Sequence, residues 1–394
     1  MPAVKVLQVC PYLHSRAGGP AILVPRYAHL LPQYGWEAAI LTTDWYSPGG
    51  RAEIESRYAH DLDVTVLSTP VNRWSIFLAN NRHTMQRVFQ EADLLHIHGL
   101  WHPLGWWAGK YALNSNKPYV VSAHGMLDRY SLGKHAFRKK LYFTLFEKNN
   151  LKNAVRVILT SEEEQRRIPQ AVGKVIRSEV VLLGADDPPE RTVDSLREFF
   201  YQQYPVLKGR KIVLFLGRLH PKKGLHRLVN IFAEVVKKVP EVVLLVAGEG
   251  DNNYVQAVQR EIRKRGLEDR VLFTGHLEDE SKWSAMAVSD LFVLPSEQEN
   301  FALSVVEVMK MGIPVVISRG VGIWHYIKEA DAGIVLELGD ADAWTATITE
   351  LLLDDKKRIT MGNYARMIAS KEFSWEKSTD RLADIYNSVM SGAK

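Results

Sequence analysis

The chain has 394 residues, 46% of them apolar, with 26 Gly and 17 Pro; this is an ordinary globular composition, too long for one hydrophobic core, so two domains are expected. Its 50 basic and 45 acidic residues leave a net charge of +5 without a dominant basic cluster, which argues against nucleic acid as a partner and favours phosphorylated small molecules or an anionic membrane face. The single cysteine, Cys10, excludes an intrachain disulfide and a cysteine-based metal site, and no apolar run approaches the ~20 residues that span a bilayer, so a cytoplasmic protein is expected, soluble or peripheral at the inner membrane face.

Short apolar runs bounded by turn residues fall at 5–9, 38–41, 64–67, 94–97, 119–122 and 155–159. Runs of this length, apolar throughout, read as parallel strands buried on both faces. The stretches between them, such as 21–34 and 82–91, have helical length and spacing, which predicts β-α repetition and a doubly wound sheet. Gly18 and Gly19 follow the first run, directly before a helix at Pro20. Residues 130–148 interleave Lys134, Arg138, Lys139 and Lys140 with Leu141, Tyr142, Phe143, Leu145 and Phe146, and read two ways: an interfacial helix on a membrane, or a core helix with a solvated basic face. The first domain is assigned to 1–184 and a linker region to 185–208, opening on the polar, proline-bearing stretch 185–191. Alternation restarts with runs at 212–216, 242–247, 271–274, 291–294 and 315–317, giving a second domain over 209–374. A last amphipathic segment from Trp375, capped by Ser374, is too long for a tail, and 375–394 is expected to cross back onto the first domain. The fold class is α/β: two Rossmann-like domains facing across a cleft, with ligands expected at the carboxyl ends of the strands.

The segment Gly217-Arg218-Leu219-His220-Pro221-Lys222-Lys223-Gly224 joins a buried run to a helix and places Arg218 and Lys223 at a strand end. A nucleoside diphosphate gains negative charge as its bond to a sugar breaks, and Arg plus Lys at the β-phosphate stabilise that charge without a metal. Lys222 reads as a solvated turn residue. Further on, 296–303 runs into a helix predicted over 304–311, whose first amides would face an anion. Glu299 lies in that loop and Glu307 in the opening turns of the helix, so both carboxylates can face one ligand. His124 closes the run 119–122, where it is either a ligand contact or a core histidine satisfying a carbonyl; His96, His98 and His102 read as structural or acceptor-side. Asp340-Ala341-Asp342 reads as a helix cap and Asp61-Leu62-Asp63 as a loop, so no metal is implied.

The two segments around Arg218 and Glu299 resemble the hallmark motifs of glycosyltransferase family 4. The resemblance runs through Gly18-Gly19, Ala123-His124-Gly125, Ala247-Gly248-Glu249-Gly250, Thr274-Gly275-His276, 312–316 and Phe373-Ser374-Trp375. It implies a GT-B fold and retaining, metal-independent transfer from a UDP- or GDP-sugar to a glycan or glycolipid, with no cofactor. By that resemblance Arg218 and Lys223 hold the diphosphate, Glu307 the ribose, Glu299 the hydroxyls of the transferred sugar, and the amides of Phe301, Ala302 and Leu303 complete the anion cradle. His276 meets the base, Gly19 lets the first domain's loop approach the diphosphate, and His124 stands beside the donor sugar. His124, Arg218, Lys223 and Glu299 are thus the expected catalytic set. Where the family usually has Gly this chain has Asn300, and where it often has Gly, Ala302. Six of the ten tryptophans lie in the first domain, which in the family receives the acceptor, and Trp101 is the one read as an acceptor contact. The alternatives are a GT-B-fold nucleotide-sugar epimerase and a non-catalytic sugar-nucleotide-binding subunit.

Overall fold

The computed structural model describes residues 4–14, 18–45, 47, 49–69, 72–77, 79–128 and 136–392. Its internal contacts divide the chain into two units, Met1–Gly184 with Trp375–Lys394, and Ala185–Ser374. In the first, β1 (Val4–Tyr12), β2 (Trp36–Thr43), β3 (Asp63–Leu67), β4 (Leu94–His98), β5 (Tyr119–Ser122), β6 (Arg156–Leu159) and β7 (Ser178–Val180) form one sheet in the order β3-β2-β1-β4-β5-β6-β7. Every pairing is parallel, and β1, which bonds both β2 and β4, marks the point where chain order reverses across the sheet. Val6, Leu7 and Val9 of β1 are buried, as both-face coverage by helices requires.

The second unit repeats the plan with β8 (Lys211–Leu216), β9 (Val242–Ala247), β10 (Val271–Gly275), β11 (Leu291–Leu294), β12 (Val315–Ser318) and β13 (Gly333–Leu336), ordered β10-β9-β8-β11-β12-β13. Here the reversal falls between β8 and β11. Loops leaving two such strands diverge to opposite faces and open a crevice at their carboxyl ends.

The segment 185–208, expected as a linker, is instead folded into the second unit. Thr192 caps the helix Val193–Gln203, which buries Leu196 and Phe200, and Arg197 donates to the Ala287 carbonyl at 2.8 Å. Upstream of it, the buried ammonium of Lys310 donates to the Ala185 carbonyl at 2.6 Å. The helix Trp375–Met390 packs on the first unit: Tyr386 is fully buried, and Tyr27 and Ser378 hydroxyls meet at 2.7 Å. The last residue before the second unit must be glycine, since a Cβ on Gly184 would lie 2.5 Å from the Trp375 Cα. The helix predicted over 21–34 is Gly19–Leu30 followed by a 3-10 turn, Leu31–Tyr34, and Asp63, expected in a loop, opens β3. Among the described residues no helix is long and apolar enough to cross a membrane.

Candidate functional site

At the reversal point of the second unit, the loop after β8 meets the loop after β11. Gly224 has φ +80, and a Cβ there would sit 2.0 Å from the Pro295 carbonyl oxygen, so only glycine allows this approach. His220 Nδ1 accepts from the Lys222 amide at 3.1 Å, and the Lys222 carbonyl accepts from the Glu297 amide at 2.8 Å. Lys222, expected at the surface only, therefore ties the two loops through its backbone. On this frame Lys223 Nζ stands 3.2 Å from Glu299 Oε2, each side chain about one-sixth exposed at 17% and 16%. Ser296 Oγ lies 3.0 Å from Glu299 Oε1, and the Glu299 amide donates to the Gly320 carbonyl at 2.9 Å. The carboxylate is thus held from both of its oxygens and from its backbone. Arg218, on the same β8 loop, is exposed.

The helix that follows is Leu303–Lys310, one residue earlier than predicted. Its N-cap, Ala302, has φ +76, a left-handed conformation that costs an L residue roughly 1 kcal/mol and that glycine adopts freely. Phe301 is buried edge-on against Phe373, with centroids 5.5 Å apart, so its side chain anchors the loop and only its backbone can serve a ligand. The Val305 amide makes the first bond of this helix, to the Ala302 carbonyl at 2.9 Å, and the amides ahead of it suit an anion. Glu307 is almost fully enclosed, and its Oε1 receives Lys282 Nζ from the helix Asp279–Ala287 at 2.7 Å. Burial raises the Glu307 carboxyl above the usual range, while Lys282 pulls it back. Lys282 was not singled out in the sequence; a lysine three residues before an apolar stretch carries no signal of a partner 25 positions on. His276, just past β10, is exposed with Nε2 3.0 Å from Glu278 Oε1.

In the first unit, Gly19 opens the helix Gly19–Leu30 behind Gly18, and a Cβ on Gly19 would meet no atom within 4 Å. His124 follows β5 at φ +48 and Gly125 at φ +75, and the Met126 amide closes the turn on the Ala123 carbonyl at 3.0 Å. The Gly125 amide donates to the buried carboxylate of Glu164 at 2.5 Å. The His124 ring stacks on His98, Nε2 to Nδ1 3.1 Å, and His98 Nε2 is 2.6 Å from Gln8 Oε1. Burial lowers His124 to about 4 and His96 and His98 well below the usual imidazole range, so all three rings are neutral near pH 7. His96 and His98, left open between structural and acceptor-side in the sequence, are buried beneath His124; His102 caps the helix Pro103–Asn114, its Nδ1 accepting from the Leu104 amide at 3.1 Å.

Trp101 has φ +68 and donates its amide to Glu147 Oε1 at 2.8 Å, while its ring is partly buried beside Tyr142 and Phe143. Of the stretch 130–148, residues 130–135, Lys134 among them, and the side chain of Arg138 lie outside the described residues. The rest is the helix Ala136–Tyr142, a π turn Phe143–Glu147, and the start of the helix Lys148–Asn153. Leu141 and Leu145 are 54% and 60% exposed, while Phe143 packs against the core of the first unit and Phe146 on Trp106 with centroids 5.1 Å apart. Asp340 caps the helix Ala341–Leu353 through the Ala343 amide at 2.9 Å, and Asp63 pairs with Lys5 at 3.2 Å. Among the described residues no group of three or more His, Cys, Asp or Glu side chains is arranged to hold a metal ion.

Two family models match the chain, "Glycosyl transferase 4-like domain" over residues 18–184 and "Glycosyl transferases group 1" over 197–367. Among curated relatives, N-acetyl-alpha-D-glucosaminyl L-malate synthase of Bacillus anthracis is 27% identical over 77% of each chain. GDP-mannose-dependent alpha-(1-6)-phosphatidylinositol monomannoside mannosyltransferase of Mycolicibacterium smegmatis is 29% identical over 45% of this chain and 48% of its own. Among solved structures, Anabaena Alr3699/HepE in complex with UDP and glucose aligns over 98% of this chain and 100% of its own, with a TM-score of 0.77 at 21% identity. With the two Rossmann-like units and both domain models in order along the chain, the protein belongs to the family 4-type glycosyltransferases, nucleotide-sugar-dependent enzymes of the GT-B fold.

Proposed function

We propose that this protein moves a sugar from a UDP- or GDP-sugar to a hydroxyl acceptor, with retention of anomeric configuration and without a metal, in the synthesis of lipid-linked or cell-surface glycans or glycolipids. The observation that carries the reading is the Lys223–Glu299 pair at the strand-order reversal of the second unit, a cation and a carboxylate held side by side on a glycine-built frame. In the unliganded chain the two neutralise each other; a donor replaces that contact, its β-phosphate taking Lys223 together with Arg218, and its sugar hydroxyls taking Glu299. Glu307 binds the ribose, the amides of 301–303 the diphosphate, and His276 the base. UDP in the Anabaena protein and GDP-mannose in the mycobacterial relative support a nucleoside diphosphate sugar and leave the base as uracil or guanine.

In the transfer the bond from the anomeric carbon to the phosphate oxygen breaks, the acceptor oxygen bonds to the same face of that carbon, and the acceptor proton passes to the departing phosphate. A covalent carboxylate nucleophile is the alternative for retention. It is disfavoured because, with the donor bound, Glu307 is committed to the ribose and Glu299 to the hydroxyls of the transferred sugar. Peripheral contact with an anionic membrane at its cytoplasmic face, through the exposed Leu141 and Leu145 beside Lys140, belongs to the same proposal.

The reading is tested first by thermal shift against UDP and GDP, since a ligand at a hundredfold its Kd stabilises by about 2.7 kcal/mol. With the responding donor, the product should keep the donor's anomeric configuration by proton NMR, and turnover should persist in EDTA. An inverted product overturns retention, and magnesium-dependent recovery from EDTA overturns the metal-free mechanism. Release of nucleoside diphosphate without an acceptor would favour the epimerase alternative.

A further inference from the structure

Resting on the assignment of His124 to the donor sugar, we infer that Gln8, His98 and Tyr386 are positioning residues, a buried hydrogen-bonded relay that decides which ring nitrogen of His124 carries its proton.

Gln8 stands in the middle of β1, flanked along the strand by the apolar Val6, Leu7, Val9 and Cys10, and is fully buried. A glutamine there costs stability unless both ends of its amide are bonded, and both are. Its Nε2 donates to the Tyr386 hydroxyl at 3.1 Å, and its Oε1 accepts from His98 Nε2 at 2.6 Å. The consequences run outward in both directions. With its proton on Nε2, neutral His98 offers Nδ1 as an acceptor, and the atom facing Nδ1 at 3.1 Å is His124 Nε2. His124 must therefore hold its own proton on Nε2 and present Nδ1 as an acceptor. On the other side, the Tyr386 hydroxyl accepts from Gln8 and donates to His96 Nδ1 at 2.5 Å, which leaves the His96 proton on Nε2, 2.7 Å from the Ser122 hydroxyl.

Every link in this chain has one donor and one acceptor. Turning the Gln8 amide over would reverse them all, so the tautomer of His124 is a single two-way choice made at Gln8 and held by the C-terminal helix. A protonated His98 would donate from Nδ1 as well as Nε2, so that it either meets the Nε2–H of His124 or drives that proton to Nδ1, and the burial that keeps the three imidazoles neutral preserves the relay. The geometry also explains why the final helix returns to this unit at the height of β1 and β4: it delivers Tyr386, 378 residues from Gln8. For the sugar the chemistry is directional. A donor-sugar hydroxyl donates to His124 Nδ1, so a sugar lacking a hydroxyl at that position loses the contact.

The test is a long-range proton–nitrogen correlation spectrum of the full chain labelled with 15N-histidine, without ligand at pH 7. The His124 signals are assigned by their loss in His124→Ala. Both His98 and His124 are expected as the neutral form protonated on Nε2. Finding His124 protonated on Nδ1, or as an even mixture, overturns the relay. Gln8→Glu should preserve the His98 and His124 tautomers, because a carboxylate accepts from both His98 and Tyr386, and should move the His96 proton to Nδ1, whereas Gln8→Leu should leave His98 and His124 as mixtures. An unchanged His124 spectrum in Gln8→Leu overturns the proposal. Should that variant not fold, Tyr386→Phe, which retains the ring's packing against Trp36, should release the amide and give the same mixture. The reading of His124 itself fails separately: the Nε2 tautomers would be observed while His124→Ala transferred sugar at the wild-type rate.

Discussion

The two units present contrasting chemistry at equivalent places in their sheets. At the reversal point of the second unit the side chains are charged and paired, Lys223 with Glu299 and Lys282 with Glu307, and Arg218 is exposed on the loop after β8. Over β1, β4 and β5 of the first unit they are neutral and linked by hydrogen bonds, from His124 through His98 and Gln8 to Tyr386. Charge next to a diphosphate does work that grows as the leaving group departs, whereas a neutral ring orients a hydroxyl without adding charge. On the proposed function, the same architecture divides labour by the electrostatics of what fills its strand ends.

The sharpest way to break this comparison is Lys223→Ala. The β-phosphate carries more negative charge in the transition state than in the intact donor, so kcat should fall on the order of a hundredfold, and more than KM rises. Lys222→Ala is the control, because Lys222 holds the loop by its backbone amide and carbonyl. An equal fall in both variants would mean that diffuse charge, not placement, drives transfer; a rise in KM alone for Lys223→Ala would reduce Lys223 to a uniform binding contact.

The carboxylates separate next. Glu299→Ala should lower turnover by roughly tenfold or more through misplacement of the sugar, while Glu307→Ala should chiefly weaken donor binding, a contact that persists from ground state to transition state. Steady-state kinetics on both variants decide it, and matching changes in kcat and KM would remove the distinction. Lys282→Met adds a stability arm: it leaves the enclosed Glu307 carboxylate without its cation, and a loss of about 1–3 kcal/mol is expected in urea unfolding.

How much of this was open to the sequence follows from the range of each interaction. β9, β11 and β8 after Lys211 are unbroken apolar runs, Arg218, Lys223 and Glu299 lie in the short loops after β8 and β11, and Glu307 lies in the helix that follows, so local pattern was enough to single out these four. The edge strands β7 and β13 were missed: one has three residues, partly exposed, and the other starts at a glycine, so neither carries a buried-strand pattern. The polar stretch 185–191 was taken to begin a linker because prolines interrupt it, but the apolar spacing of Leu196 and Phe200 in the next helix answers to a surface on the helix Asp279–Ala287, which no local window contains. Gln8 amid an apolar strand was the visible anomaly in the first unit. Its partners, at positions 98 and 386, were beyond any spacing rule.

A smaller effect is expected of His124→Ala, which should cut transfer roughly tenfold while the midpoint shift produced by UDP or GDP stays as in the wild type, since the ring belongs to the neutral side of the comparison. Loss of folding in this variant would make His124 a core residue. Loss of nucleotide affinity would place its contact on the diphosphate and erase the contrast between the units.

The last prediction concerns pH and asks whether the neutral cluster is neutral. Unfolded histidine titrates near 6.5, whereas folded His124 is lowered to about 4 and His96 and His98 lie well below the usual range. Below about pH 6.5 the unfolded chain therefore binds protons that the folded chain does not, and stability that is complete above pH 7 is lost as pH falls toward 4. Two buried carboxyls in the same unit oppose this. Burial raises Glu147 to about 7 and raises Glu164, so their contribution is present below about pH 4.5 and declines as pH rises through the folded value. With three imidazoles against two carboxyls, a net loss on the order of 1 kcal/mol per pH unit is expected between pH 6.5 and 5 in urea unfolding followed by a probe in the first unit. Glu147→Gln removes one opposing group and should steepen the acid loss. In the second unit the histidine with a lowered pKa is the half-buried His226, so a probe there should report a shallower dependence. A first-unit curve that stays flat from pH 7 to 5 would show that the three imidazoles take up protons in the folded chain, and the electrostatic contrast between the two units would be lost.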